Sequence, residues 1–192
     1  VHYVAQRVGR VATVSGCLAA VPADSMRAMA ELLDSWSEFN VAMVGATAAL
    51  AGLLIVAMSV NISTIMQSKT MPARLAASIA ALVLAITVSA LGLIPEQPLV
   101  IYGIAIILAT LGAGVFQWHV VSLVFRQPGV PANYRFGQSI SGMFPIVAFL
   151  TGGVLITAGL GEAGLVAAAL GSILSIIAAL LMAWVVLVEL LR

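Results

Sequence analysis

Residues 163–188 read AGLVAAALGSILSIIAALLMAWVVLV, and none of them carries a charge. The run exceeds the roughly 20 residues that an α-helix needs to cross about 30 Å of hydrocarbon. Four more uncharged runs precede it, at 39–68, 75–95, 97–125 and 136–161. Within the five runs, spans are expected at 39–60, 75–94, 99–121, 140–160 and 163–187. Each must be helical, because a lone strand in lipid leaves its backbone unpaired. The short alternating segments of a membrane β-barrel do not occur. The predicted fold is therefore all-α: a polytopic membrane bundle of about five helices over 39–192, behind an N-terminal extension over 1–38.

Composition supports this reading and narrows the chemistry. The chain is 62% hydrophobic and 8% charged, with mean hydropathy +1.18. A soluble domain carries about a quarter charged residues, so lipid must supply the apolar surroundings. A net charge of +1 leaves no footprint for nucleic acid. The single cysteine, Cys17, excludes an intrachain disulfide and a thiolate metal cage. One Lys against seven Arg, with abundant Ala, points to a GC-rich genome.

The links set the expected orientation. Pro95-Glu96-Gln97-Pro98 and the segment from Gly159 to Gly164 are short and rich in helix breakers. Each should join antiparallel neighbours into a helical hairpin. Lys69 and Arg74, Arg126 and Arg135, and Arg192 all fall on one side of the spans, whereas the opposite links hold only Glu96 and Glu162. The positive-inside rule makes the basic side cytoplasmic, with the N-terminus outside and the C-terminus inside a bacterial inner membrane. Arg7, Arg10 and Arg27 in the extension argue mildly the other way.

Within the extension, Val4, Val8 and Val11 repeat at helical spacing, as an interfacial amphipathic helix would. Pro22 ends that pattern, and Met26, Met29, Leu33 and Trp36 share one face of a second short helix, with Trp36 as an interfacial anchor. A secretory signal is the weaker reading, because the apolar run after Arg10 is thin. The indispensable part is expected to begin at or near Met26.

Intramembrane ionisable groups are the first place to look for function. None lies in the middle third of any expected span. That counts against a proton-coupled pump or an ion transporter, which needs titratable groups or unwound helices near the midplane. His119 stands without a second ligand at metal spacing and reads as an interfacial polar residue. Glu189 sits at the inner end of the last span. Stepping back from it by three or four gives Val186, Met182, Ala179, Ser175, Ser172, Ala168 and Gly164. So small a stripe implies close helix packing in lipid, which turns Glu189 toward protein. A structural ion pair with Arg74 or Arg135 is the expected role.

A second small-residue seam runs through Gly45, Ala49, Gly52 and Ser59 on the first span. Asn61 is expected to cap that helix in the left-handed conformation. Pro145 should kink the fourth span, and with Gly152 and Gly153 it would line a path if the protein were a channel. No nucleophile elbow, zinc-protease helix or phosphate-binding loop occurs. No catalytic, cofactor or metal residue is therefore assigned.

Three segments together carry a resemblance. They are Trp36-Ser37-Glu38-Phe39-Asn40 leading into 45–52 and Ser59-Val60-Asn61-Ile62; Leu93-Ile94-Pro95-Glu96-Gln97; and residues 183–192. The combination resembles an uncharacterised bacterial family of small integral membrane proteins with about five spans. The resemblance covers 36–192 and implies a topology, not an activity. The functional expectation is a non-enzymatic accessory subunit of a larger inner-membrane complex, with an envelope lipid-transport permease as one host. Its partners would be other integral membrane proteins and lipid. The alternative is a small oligomeric carrier or channel.

Overall fold

The computed structural model describes residues 31–67, 71–125 and 132–190. Among these residues all regular structure is helical. Residues 31–35 form a short helical segment that turns at Trp36. There follow α1 (Ser37–Val60), α2 (Ile62–Ile65), α3 (Met71–Leu91), α4 (Leu99–Phe125), α5 (Ala132–Thr157) and α6 (Gly161–Leu190). Four of them, α1, α3, α4 and α6, are long and apolar enough to cross a membrane. The described part of α5 adds a shorter apolar stretch, Gly142–Thr157. Large apolar side chains stand fully outward on these helices, Leu53 66%, Leu108 65% and Val115 73% exposed. Water would not tolerate so much apolar surface. The chain is a multi-pass membrane protein.

The helix ends follow local chemistry. α5 stops in a Schellman turn: Gly159 takes φ +87°, its N–H donates to Ile156 O (3.1 Å), and Leu160 N–H donates to Leu155 O (2.9 Å). Only glycine accepts that φ without strain. Between α3 and α4 the reversal at Pro95–Pro98 places Glu96 at φ +56°. Asn61 does follow α1, but not in the left-handed conformation expected of it. Its φ is −109°, and its side-chain Nδ2 donates to Ala57 O at 3.0 Å instead. The amide group satisfies the helix end directly, so no positive φ is needed.

Packing arranges α3, α4, α5 and α6 as a four-helix ring, in which each helix lies against its two neighbours. α1 stands outside the ring, mainly on α3 and lightly on α6. The 92–98 and 158–160 links meet at one end, where Leu99 and Leu32 approach Gly161. The largest core cluster fills that end, with Tyr102, Ile106, Phe149, Ile156 and Leu165 buried together. Leu33 belongs to it. Residues 31–36 thus pack on the bundle, although the sequence places them in an extension. A smaller cluster of Ile65, Met71, Leu75 and Met182 closes the opposite end.

α5 is the most closely held helix, and two adjacent glycines explain why. A Cβ on Gly152 would lie 2.9 Å from Gly164 O and 3.0 Å from Ala168 N, both backbone atoms of α6. A Cβ on Gly153 would lie 2.8 Å from Ile107 and 3.1 Å from Gly103 O on α4. The pair therefore lets α5 approach two helices at once, on two different faces. Nearby, the ring of Phe149 lies on Gly171, about 3.0 Å from where a Cβ would be. In lipid such backbone approach replaces the hydrophobic effect as the main attraction between helices.

A methyl at Gly152 should thus be costly, because backbone cannot yield. Gly152→Ala is expected to lower thermal stability in detergent by roughly 1–3 kcal/mol, the usual cost of overpacking. Gly45→Ala on α1, where nothing lies within 4 Å, should be neutral, or stabilising by up to about 1 kcal/mol through helix propensity. Equal effects of the two changes on the melting temperature would contradict this packing.

Candidate functional site

The small stripe of α6 lies inside the ring. Gly164, Ala168, Ser172, Ser175, Ala179 and Met182 are all buried. Ser172 and Ser175 donate their hydroxyls to Ala168 O (3.3 Å) and Gly171 O (2.9 Å), so neither presents a free donor to a neighbour. At the far end of the stripe, Met182 packs against Met71 and Leu75, which brings the start of α3 beside the last turns of α6. Arg74 projects from that part of α3. It is half-buried, its Nε and Nη2 are shielded from solvent, and it is engaged by the rest of the chain. The side chains of Glu189 and Arg135 lie outside the described part, as do Lys69, Arg126, Arg192 and residues 1–30.

The seam on α1 has the opposite fate. Gly45, Ala49, Gly52 and Ser59 are all exposed, and no atom of another helix lies within 4 Å of a Cβ built on either glycine. The face that α1 turns to the bundle is instead Asn40, Met43, Thr47, Ala51 and Leu54. Ser59 satisfies itself on Ile55 O at 2.8 Å. Among the described residues the second seam is therefore an open surface rather than an internal joint.

Pro145 is fully buried, within a helix assigned continuously from 132 to 157. Gly152 and Gly153 both lie against neighbouring helices, as described above. His119 and Trp118 are exposed near the end of α4, whereas Gln117 beside them is buried against Gly142.

Two hollows remain notable. At the link end, an open pocket of about 370 Å³ is rimmed by Glu31, Asp34, Ser37, Glu96 and Gln97. An apolar groove of about 510 Å³ opens between α1 and α4 over the floor of α3, lined by Met58, Ala76, Ala80, Ala109, Ala113 and Phe116. Among the described residues no three His, Cys, Asp or Glu come together as metal ligands would.

Beneath Trp36 and Phe39, whose rings meet edge to face at 5.7 Å, lies a third and much smaller space. Asn40, Ser89, Tyr102 and Ser172 surround it, from four different helices. Sequence reasoning passed over this group. The one available signal was that Asn40 shares a helical face with Met43, Thr47, Ala51 and Leu54; nothing local links it to Ser89, Tyr102 or Ser172.

Compared with protein-family models, curated proteins and solved structures, the chain matches none. The membrane-spanning helices are consistent with a small integral membrane protein, as the resemblance over 36–192 implies.

The burial of Arg74 allows a test of the expected ion pair. Breaking a buried pair leaves a charge uncompensated, at about 3–5 kcal/mol, whereas an exposed pair contributes about 0–1 kcal/mol. Glu189→Gln is expected to melt clearly earlier in detergent than wild type, with Arg74→Gln adding little on top of it. Strictly additive losses in the double variant would separate the two residues.

Proposed function

We propose that this chain is a non-enzymatic accessory subunit of a larger bacterial inner-membrane complex. One observation carries the reading: α1 stands outside the four-helix ring and turns Gly45, Ala49 and Gly52 away from it, and no other helix among the described residues lies against them. Small residues in that pattern allow the backbone of a partner helix to approach closely. The companion expected there is another integral membrane protein. One host of this kind is an envelope lipid-transport permease, on the GC-rich sequence bias that fits a bacterium with an elaborate envelope.

In this proposal α5 also crosses the membrane, as the fourth of five spans in chain order. The N-terminus lies outside and the C-terminus inside, because Lys69, Arg74, Arg126, Arg135 and Arg192 share one side. The short links and the residues around Gly92 then face the periplasm. The alternative of an oligomeric carrier or channel has less support, since Gly152 and Gly153 are filled by their neighbours.

Two measurements test the proposal. A reporter fused after Arg192 should be active only in the cytoplasm; periplasmic activity would reverse the orientation. Purified in mild detergent from native membranes, the protein should carry stoichiometric companions, and Gly52→Leu should strip them without lowering its own melting temperature. A homogeneous protein that transports unaided in liposomes would instead establish the carrier.

A further inference from the structure

Inside lipid, each buried hydroxyl or amide must find a partner within the protein or in a bound water. Thr47, Thr110, Ser172 and Ser175 solve this locally, each donating to a carbonyl one turn back on its own helix. Asn40 and Ser89 do not. They are 6% and 2% exposed, and neither side chain bonds to the protein among the described residues. They come from α1 and α3, yet they border the same small cavity.

The remaining polar lining completes the set. Tyr102 donates its hydroxyl to Val88 O at 3.2 Å and Ser172 donates to Ala168 O, so each oxygen keeps lone pairs for a further donor. The cavity measures about 10 Å³, close to the smallest space that holds one water and too small for a larger polar ligand. Gly92 keeps the approach open. A Cβ there would come within 2.7 Å of the Asn40 amide nitrogen and 3.1 Å of the Tyr102 hydroxyl.

We propose that this cavity is a site for one internal water, bonded by Asn40, Ser89 and the hydroxyl of Tyr102 or Ser172, which fastens the link end of α1 to the ring. A water can supply two donors and two acceptors, and such waters make about three bonds to otherwise unsatisfied groups. Asn40 donates or accepts through its amide, Ser89 does so through its hydroxyl, and the Tyr102 or Ser172 oxygen accepts. The bridge joins α1 to α3 and to α4 or α6.

The full chain in lipid bilayers, labelled with ¹⁵N-asparagine, offers the readout. Polarisation transfer from water to the Asn40 side-chain nitrogen, identified by its loss in Asn40→Leu, should give a cross-peak in wild type. That peak should vanish in Ser89→Val, which fills the space, and weaken in Ser89→Ala, which removes one partner but leaves room. As a second measure, Asn40→Leu and Ser89→Ala together should lower the melting temperature no more than the costlier single change, because both act on the same water. A wild-type Asn40 without the peak would overturn the proposal. A peak unchanged in both Ser89 variants would overturn it too, since the water would then be bulk water at the interface.

Discussion

Helices in lipid gain nothing from hiding apolar side chains from one another, because the surrounding acyl chains are equally apolar. What remains is contact between backbones, and here that contact depends on Gly152 and Gly153. Adjacent residues on a helix point about 100° apart, so two neighbouring glycines open two faces. One face receives Gly164 and Ala168 of α6, and the other receives Gly103 and Ile107 of α4. Without this pair α5 could approach one neighbour closely but not both. The ring of α3, α4, α5 and α6 would then lose its tightest member.

Polar groups in the bundle are handled in two ways, and the difference separates scaffold from joint. Serines and threonines within the ring return their hydroxyls to their own helices. They contribute small size rather than interhelical bonds, which fits the close packing around them. At the contact of α1 with the ring, Asn40 and Ser89 face a shared space with Tyr102 and Ser172. α1 is the peripheral helix, so the proposed polar bridge there would fix its position more than apolar packing can. A helix that presents a small-residue face to a partner needs such fixing. The outward stripe of Gly45, Ala49 and Gly52 is useful only if its depth and rotation are held.

Much of the architecture was legible locally. A transmembrane helix is specified by about 20 consecutive apolar residues, a property of one segment. The starts and stops of α1, α3, α4 and α6 accordingly fall within four residues of the expected spans. The stripe from Gly164 to Ser175 was legible for the same reason, since spacing along one helix fixes which residues share a face. The 92–98 and 158–160 links declared themselves through Pro and Gly.

What the tertiary structure alone decided is which of two equivalent-looking stripes would be buried. Gly45, Ala49 and Gly52 have the same character in sequence as Gly164, Ala168 and Ser172. Among the described residues one set meets a neighbouring helix and the other meets none, and no residue within either stripe encodes that difference. The same holds for Asn40, Ser89, Tyr102 and Ser172, which are far apart in the chain and meet only because α1 lies against α3 beside α6. It holds again for Leu33, which joins the main core although the sequence around it reads as an extension. Segment-level chemistry determined that this protein crosses a membrane as helices. The choice among possible helix neighbours depends on the summed fit of side chains from distant segments, and only the assembled bundle resolves it.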